Sequence, residues 1–313
     1  MKHNWKITFV LISMFIITQF IGLFVVGHYL QDGNSLPLGL ETPQPETQAQ
    51  YMGYLKLIIF AFIIAILIFF FLTRLKIEFI LKAWFLIVVI IALSISLTSV
   101  FSLFTQYAFT AAIIAAVALA FLKIYGRNFI LHNLTELLIY PGIAAVFVPI
   151  LNFYTVLILL VVISIYDIWA VWHSGIMQKM AKYQMDKLKI FSGFFVPYMS
   201  KKVRAQVKNW KKTLSKSKLN KKKIKISVAI LGGGDVVFPI ITAGVVLKTV
   251  SVSLPFGLKD FTGGIGPALF VILGATLGLT YLFFFSEKKK FYPAMPFITA
   301  GIVIGMVLGY LIL

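Results

Sequence analysis

Nine long apolar segments dominate this sequence, and each is long enough to cross a lipid bilayer. A transmembrane helix needs about 20 mainly apolar residues. Only 12% of the residues are charged and 60% are hydrophobic, whereas soluble globular proteins carry about 25% charged residues. We therefore predict an all-α polytopic membrane protein with nine transmembrane helices. The predicted spans are residues 7–30, 53–73, 78–99, 106–122, 133–149, 152–172, 224–249, 262–285 and 294–313.

Lysine and arginine concentrate in every second connection between these spans. The intervening connections carry no net positive charge, whereas the basic ones are the N-terminus and the connections near residues 74–82, 123–127, 173–223 and 286–292. Connections on the cytoplasmic side of membrane proteins carry the excess of basic residues. We therefore expect a cytoplasmic N-terminus and a C-terminus outside, which requires an odd number of spans.

The most basic connection divides the chain into three parts. We distinguish a six-helix part (1–172), a basic cytoplasmic loop (173–223) and a three-helix part (224–313). A basic run beside a bilayer contacts anionic lipid headgroups, and we expect this role for the loop and no nucleic-acid binding. Within the loop, residues 190–199 are apolar but too short to span, and we predict a short interfacial helix there, with collapsed loop as the alternative.

Three acidic residues, Glu136, Asp167 and Asp235, lie in the interior of predicted spans, whereas Glu78 lies at the cytoplasmic start of the third. Each of the three is a candidate functional residue, because a carboxylate at membrane depth costs at least ~2.5–3.5 kcal/mol on insertion scales. Asp167 precedes the first basic residue of the loop, Lys179, and Asp235 follows the last, Lys225. At the helical rise per residue these offsets are about 18 Å and about 15 Å. Consecutive antiparallel helices are usually neighbours, so Asp167 and Asp235 are predicted to lie at nearly the same depth.

Two neighbouring carboxylates in a low dielectric form an acid–base pair, because they cannot both ionise easily and share one proton. The ionised member accepts a proton from a water that attacks a carbonyl, and the protonated member hydrogen-bonds the carbonyl oxygen. This is the chemistry of aspartyl peptide hydrolysis. It needs neither metal nor cofactor, and we expect none. The chain has no cysteine, and its four histidines are dispersed.

Three glycines precede Asp235 in the segment LGGGDVVF. A helical peptide bond must be unwound before water attacks it, and its freed backbone needs partners in hydrocarbon. Gly232 and Gly234 would allow close approach of such an extended substrate. The alternative is tight helix packing, which we favour for Gly233.

Three short motifs together resemble the presenilin and signal peptide peptidase family of intramembrane aspartyl proteases. That family carries Tyr-Asp on its sixth span, Gly-x-Gly-Asp on its seventh and Pro-Ala-Leu at the start of its ninth. On the corresponding predicted spans this sequence has Tyr166-Asp167, Gly232-Gly233-Gly234-Asp235 and Pro293-Ala294-Met295. Met295 replaces the leucine of the family, a substitution that keeps volume and apolarity.

The resemblance implies a presenilin-like fold and a role for each motif. Asp167 and Asp235 would be the catalytic pair, Tyr166 would support Asp167, and Pro293, Ala294 and Met295 would bind substrate. A cytoplasmic N-terminus matches presenilins and favours type I membrane-spanning substrates, whose N-terminus is outside. The family includes single-chain microbial members, so we expect a multi-pass protein of a prokaryotic plasma membrane. The resemblance leaves the oligomeric state and any self-cleavage of the loop open.

The sequence leaves two alternative functions possible and the role of one residue, Glu136, undecided. Glycine-interrupted helices with buried carboxylates also suit a proton- or cation-coupled transporter, although no inverted repeat is visible. A non-catalytic scaffold is the third reading, and the presence of both aspartates argues against it. Glu136 is either a third acid near the site or, as we favour, paired with Asn133, His132 or a hydroxyl near the cytoplasmic boundary.

Overall fold

The computed structural model describes residues 5–31, 33–75, 78–126, 128–175, 180, 183–184, 188, 190–198, 227–249, 264–286 and 292–312. Within these ranges, nine long helices make up most of the fold. They are α1 (Trp5–Leu30), α2 (Gln48–Leu75), α3 (Glu78–Phe101), α4 (Ala108–Tyr125), α5 (Phe129–Phe147), α6 (Phe153–Ile168), α7 (Gly233–Thr249), α8 (Ile265–Phe285) and α9 (Met295–Ile312). A π-helical turn, Trp169–His173, extends α6.

The prediction of an all-helical membrane protein is confirmed. Counting α6 together with its π-helical turn, eight helical spans among the described residues are at least 18 residues long and apolar enough to cross a membrane, and they match eight of the predicted spans. The helix that corresponds to the seventh span, α7, has 17 residues. It is shorter than the predicted span 224–249 because the preceding residues form a strand.

Two short strands form an antiparallel hairpin, which the sequence did not predict. Strand β1 (Gly193–Tyr198) pairs with β2 (Ser227–Gly232), with Gly193 opposite Gly232 and Phe195 opposite Ile230. Both predictions for residues 190–199, an interfacial helix or a collapsed loop, are therefore wrong over the strand. Short apolar runs do not distinguish helix from strand by periodicity. Much of the predicted basic loop, including residues 199–223, lies outside the described residues.

The helices pack around a core formed mainly by α1, α5, α7 and α8. Helices α5 and α6 follow each other through a tight turn, in which the Asn152 side chain accepts a hydrogen bond from the Thr155 amide and begins α6. The second helix lies apart, because it makes few packing contacts beyond α3 and α6. This leaves a wide apolar space between α2 and the rest of the protein.

Helices α8 and α9 approach each other at glycines. A Cβ atom on Gly301 would overlap the carbonyl oxygen of Gly274, and one on Gly305 would overlap that of Phe270. We therefore expect Gly301→Ala to lower the free energy of unfolding by about 1–3 kcal/mol, the usual cost of overpacking. Thermal unfolding in detergent measures this change.

Gly53→Ala in α2 is the matched control, because no heavy atom lies within 4 Å of the added Cβ. It should leave the protein as stable as the wild type or more so, since alanine favours helix over glycine by about 1 kcal/mol. Equal unfolding temperatures for Gly301→Ala and the wild type would show that α8 and α9 can separate without cost.

Candidate active site

The two aspartates singled out in the sequence lie together in the structure. Asp167 is in the last turn of α6 and Asp235 in the first turn of α7. These helices pack against each other, and the two carboxylates are close enough for their charges to interact. Both residues are buried, with 6% of Asp167 and 9% of Asp235 exposed. The structure thus places two carboxylates in one secluded site.

Helix α9 meets Asp167 at its first residues. The backbone amide of Met295 donates a hydrogen bond to Asp167 Oδ2 at 3.0 Å, and the amide of Ala294 also faces this carboxylate. Near Asp167, a hydrogen bond of 2.9 Å between Ser164 Oγ and Thr299 Oγ1 links α6 to α9. The free amides and dipole at a helix N-terminus favour an anion. The start of α9 is therefore built around the Asp167 carboxylate.

The three glycines before Asp235 lie where β2 changes into α7, and each has different surroundings. A Cβ on Gly232 would lie 3.1 Å from Asp235 Oδ2, and one on Gly233 would lie 2.9 Å from Tyr140 Oη. A Cβ on Gly234 would meet only Phe238, at 3.7 Å. Gly233 therefore permits the packing of α5 against this turn, whereas Gly234 is exposed on the surface of the site.

An apolar cavity of about 880 Å³ lies between α2, α5, α6 and α7. Its lining includes residues close in the chain to both aspartates, Tyr166 and Val237, but neither aspartate itself. Its lining includes Phe62 of α2, Tyr166 and Trp169 at the end of α6, and Phe238 of α7. The ring of Tyr166 packs edge-on against Phe62 at 5.2 Å between centroids. The residue before Asp167 therefore forms part of the cavity wall between α6 and α2.

Glu136 belongs to a separate buried cluster of charges on α4 and α5. Lys123 Nζ lies 2.6 Å from Glu136 Oε1, and both side chains are 1% exposed. Lys123 Nζ also lies 3.2 Å from His132 Nδ1. The predicted partners of Glu136 were therefore incomplete, because its main partner is Lys123. The prediction placed Lys123 just beyond the fourth span, whereas α4 continues to Tyr125 and carries it inward.

Helix α5 also holds the outer edge of β1. The Asn133 side chain donates to the Phe195 carbonyl at 2.9 Å and accepts from the Phe195 amide at 3.1 Å. His132 Nε2 lies 2.9 Å from the Gly193 carbonyl oxygen. Sequence reasoning considered Asn133 and His132 only as partners of Glu136. Their contacts with β1 were missed because the strand itself was not predicted.

Comparison with known proteins agrees with this geometry. The family model described as "Signal-peptide peptidase, presenilin aspartyl protease" matches residues 12–313. The chain therefore belongs to this family, whose members are intramembrane aspartyl proteases, and it is a hydrolase. Among curated protein sequences, none matches the chain. Nothing in these comparisons supports the transporter alternative.

Two solved structures of presenilin family intramembrane aspartate proteases share the fold. The one in space group C222 is 18% identical, covers 98% of this chain and 99% of its own, and has a TM-score of 0.60. The one in space group P2 is 19% identical, covers 97% of each chain, and has a TM-score of 0.56. The presenilin-like fold expected from the three motifs is thus confirmed.

Proposed function

We propose that Asp167 and Asp235 are the catalytic pair of this protease and hydrolyse peptide bonds within membrane-spanning segments. The observation that carries the proposal is the burial of both carboxylates at the meeting of α6, α7 and α9. A buried carboxylate pair in lipid is costly, and such residues are therefore usually functional. The apolar cavity between α2, α5, α6 and α7 has the size and lining to receive a membrane-embedded segment.

The contacts of Asp167 indicate which of the two aspartates is ionised and which is protonated. Because Asp167 accepts the Met295 amide at the start of α9, it is the better placed of the two to carry the negative charge. Asp235 then holds the shared proton and donates it in a hydrogen bond to the substrate carbonyl. A water between them adds to the carbonyl carbon and gives a proton to Asp167. As the water attacks, Asp235 gives its proton to the carbonyl oxygen. When the C–N bond breaks, Asp167 passes the proton it took from the water to the leaving amine nitrogen. A hydroxyl of the tetrahedral intermediate returns a proton to Asp235, so that the carboxylic acid product and the starting state of both aspartates result.

The substrate segment is proposed to bind as an extended strand along β2. The backbone groups of Phe195 point away from β2 towards Asn133. In an antiparallel pair the opposite residue, Ile230, then points its own groups towards the outer edge of β2. Among the described residues, no strand pairs with that edge. Since β2 leads directly into Asp235, a strand added there would run past the carboxylates.

The residues of the ninth-span motif are proposed to complete the substrate site. Ala294 and Met295 are buried and border Asp167, and Pro293 precedes them in the turn before α9. They would confine the substrate from the α9 side while Gly232 and Gly234 leave space on the α7 side. Tyr166 would support Asp167 by fixing the wall between the cavity and the carboxylate.

The alternation of basic connections supports a cytoplasmic N-terminus, and hence type I substrates. The resemblance to a family with single-chain microbial members supports the plasma membrane of a prokaryote as the location. The basic run Lys179–Lys225 would contact anionic headgroups, although most of it lies outside the described residues. Purified protein in liposomes, given one substrate sequence in both orientations, tests the orientation. Preference for the substrate whose N-terminus is on the same side as this protein's N-terminus would contradict it.

Gly234→Ala should separate substrate binding from folding. The added methyl group has room in the free protein, so thermal unfolding should stay at the wild-type temperature. Against a bound strand it would cost about 1–3 kcal/mol of overpacking, which corresponds to about a 5- to 150-fold loss in kcat/KM. Gly233→Ala should instead lower stability, because its methyl group meets Tyr140. Wild-type kcat/KM for Gly234→Ala would contradict a close approach of substrate.

Cleavage of a labelled single-span peptide by the purified protein in H₂¹⁸O tests the proposed function. We expect products cut within the apolar segment, with ¹⁸O in the new carboxyl terminus because water is the nucleophile. The double variant Asp167→Asn/Asp235→Asn is the control and should yield no product. A transporter would give no product from either protein. Equal cleavage by both proteins would contradict the catalytic assignment.

A further inference from the structure

Helix α5 takes the place of a third strand on the outer edge of β1. Consecutive residues, His132 and Asn133, bind the backbone of Gly193 and Phe195, which are two positions apart. In an antiparallel sheet, alternate residues present their backbone groups to the same edge. The two side chains therefore satisfy the groups that a neighbouring strand would bind. This contact goes beyond ordinary helix packing, because Asn133 pairs with both the donor and the acceptor of one residue.

The buried charge cluster fixes the direction of the His132 hydrogen bond. The Lys123 ammonium has only donors, so His132 Nδ1, at 3.2 Å, must accept from it. The ring proton is then on Nε2, which donates to the Gly193 carbonyl at 2.9 Å. Glu136 balances the charge of Lys123 at 2.6 Å. Glu136, Lys123 and His132 thus form a buried chain of polar contacts that ends at the Gly193 carbonyl of β1.

The hydrogen bonds from α5 to β1 also constrain, through the hairpin, the chain that leads into Asp235. Gly193 is opposite Gly232, which is three residues before Asp235. Tyr140 lies about two turns further along α5, and it packs over Gly233. A single helix therefore holds the first strand, and with it the register of the second, and also the turn into α7. Register matters because a one-residue slip moves every side chain of a strand to the opposite face.

We propose that His132 and Asn133 are positioning residues that set which peptide bond of the substrate is cut. They hold β1, β1 holds the register of β2, and the substrate strand aligns on β2 relative to Asp235. This inference rests on the proposed function, because it requires substrate to add to β2. Neither side chain touches the two aspartates, so their effect on the reaction is through the hairpin.

The test is the distribution of products from a labelled single-span peptide, mapped by mass spectrometry. Asn133→Leu removes both bonds to Phe195 at nearly constant size. We expect its cuts to spread to neighbouring peptide bonds, with a fall in kcat of about 10- to 100-fold, since misplacing reacting groups by 1 Å can cost about 10²-fold. Ser96→Ala is the matched control, because it removes a side-chain bond to the α5 backbone, at Leu138, away from the strand. Its product distribution should equal that of the wild type.

If Asn133→Leu does not fold, Asn133→Asp tests whether Asn133 sets the position of cleavage. It keeps the acceptor for the Phe195 amide and loses the donor to the Phe195 carbonyl, so its product spread should be intermediate. A wild-type product distribution in the folded Asn133 variants would overturn the inference while leaving the proposed function intact. Absence of cleavage by the wild-type protein itself would instead overturn the proposed function.

Discussion

Replacing either Asp167 or Asp235 with asparagine will abolish peptide hydrolysis as completely as replacing both. The two residues share one proton and act as a unit, so the effects of their replacement are not additive. We expect kcat to fall by about 10⁴-fold or more for each single variant, as for other residues that act as a catalytic unit. Rates of cleavage of a labelled single-span peptide, compared among the two single variants and the double variant, measure this.

Glu46→Gln is the control for loss of a carboxylate, because Glu46 is exposed in the connection before α2. It should cleave at the wild-type rate. Asp167→Asn should also unfold at or above the wild-type temperature, since a neutral amide relieves the cost of burying a charge. Asp235→Asn exchanges a neutral carboxyl group for a neutral amide and should unfold near the wild-type temperature. Retention of about a tenth of the wild-type kcat by either variant would show that its aspartate is not part of the catalytic unit.

Glu136→Gln will strongly destabilise the protein. The substitution leaves the ammonium of Lys123, which is 1% exposed, without its balancing charge. Breaking a buried ion pair by removing one partner typically costs about 3–5 kcal/mol. Thermal or denaturant unfolding in detergent micelles, followed by circular dichroism, measures the loss.

The double variant Lys123→Met/Glu136→Gln separates loss of the pair from loss of one partner. It removes the uncompensated charge and keeps apolar volume, so it should recover much of the stability lost in the single variant. Glu41→Gln, at an exposed position, should have no effect. If Glu136→Gln were as stable as the wild type, Lys123 would have to lose its charge or reach water in the folded protein.

The helices and the meeting of Asp167 with Asp235 were predictable from the sequence for simple physical reasons. Hydrocarbon thickness fixes the length of a span, so the apolar segments gave α1 to α6, α8 and α9 close to their observed bounds. The offset of about 15 Å between Lys225 and Asp235 assumed a helix. Residues 227–232 instead form β2, and a strand rises about 3.3 Å per residue, so that calculated offset is wrong. The structure nevertheless brings Asp167 and Asp235 together on α6 and α7, because consecutive antiparallel helices are usually neighbours.

The contacts that hold the hairpin were not predictable in the same way. Residues 193–198 and 227–232 are both short and apolar, and only their pairing across a long basic segment makes them strands. Asn133 and His132 bind backbone groups of that hairpin, so their role depends on a tertiary contact that no local pattern signals. Lys123 was read as a loop residue because a charge usually ends a span. It is buried here because Glu136 lies opposite.

A structure of the protein bound to a single-span peptide tests the central claim most directly, if the scissile peptide bond is replaced by a tetrahedral hydroxyl group. Such a group resembles the intermediate of water attack and binds where the reaction is catalysed. We expect the hydroxyl to lie within about 2.6–3.2 Å of a carboxylate oxygen of both Asp167 and Asp235, with the peptide paired along β2. A hydroxyl that contacts neither aspartate, in a complex whose two carboxyl groups stay more than ~10 Å apart, would contradict the claim, since proton transfer needs hydrogen-bond reach.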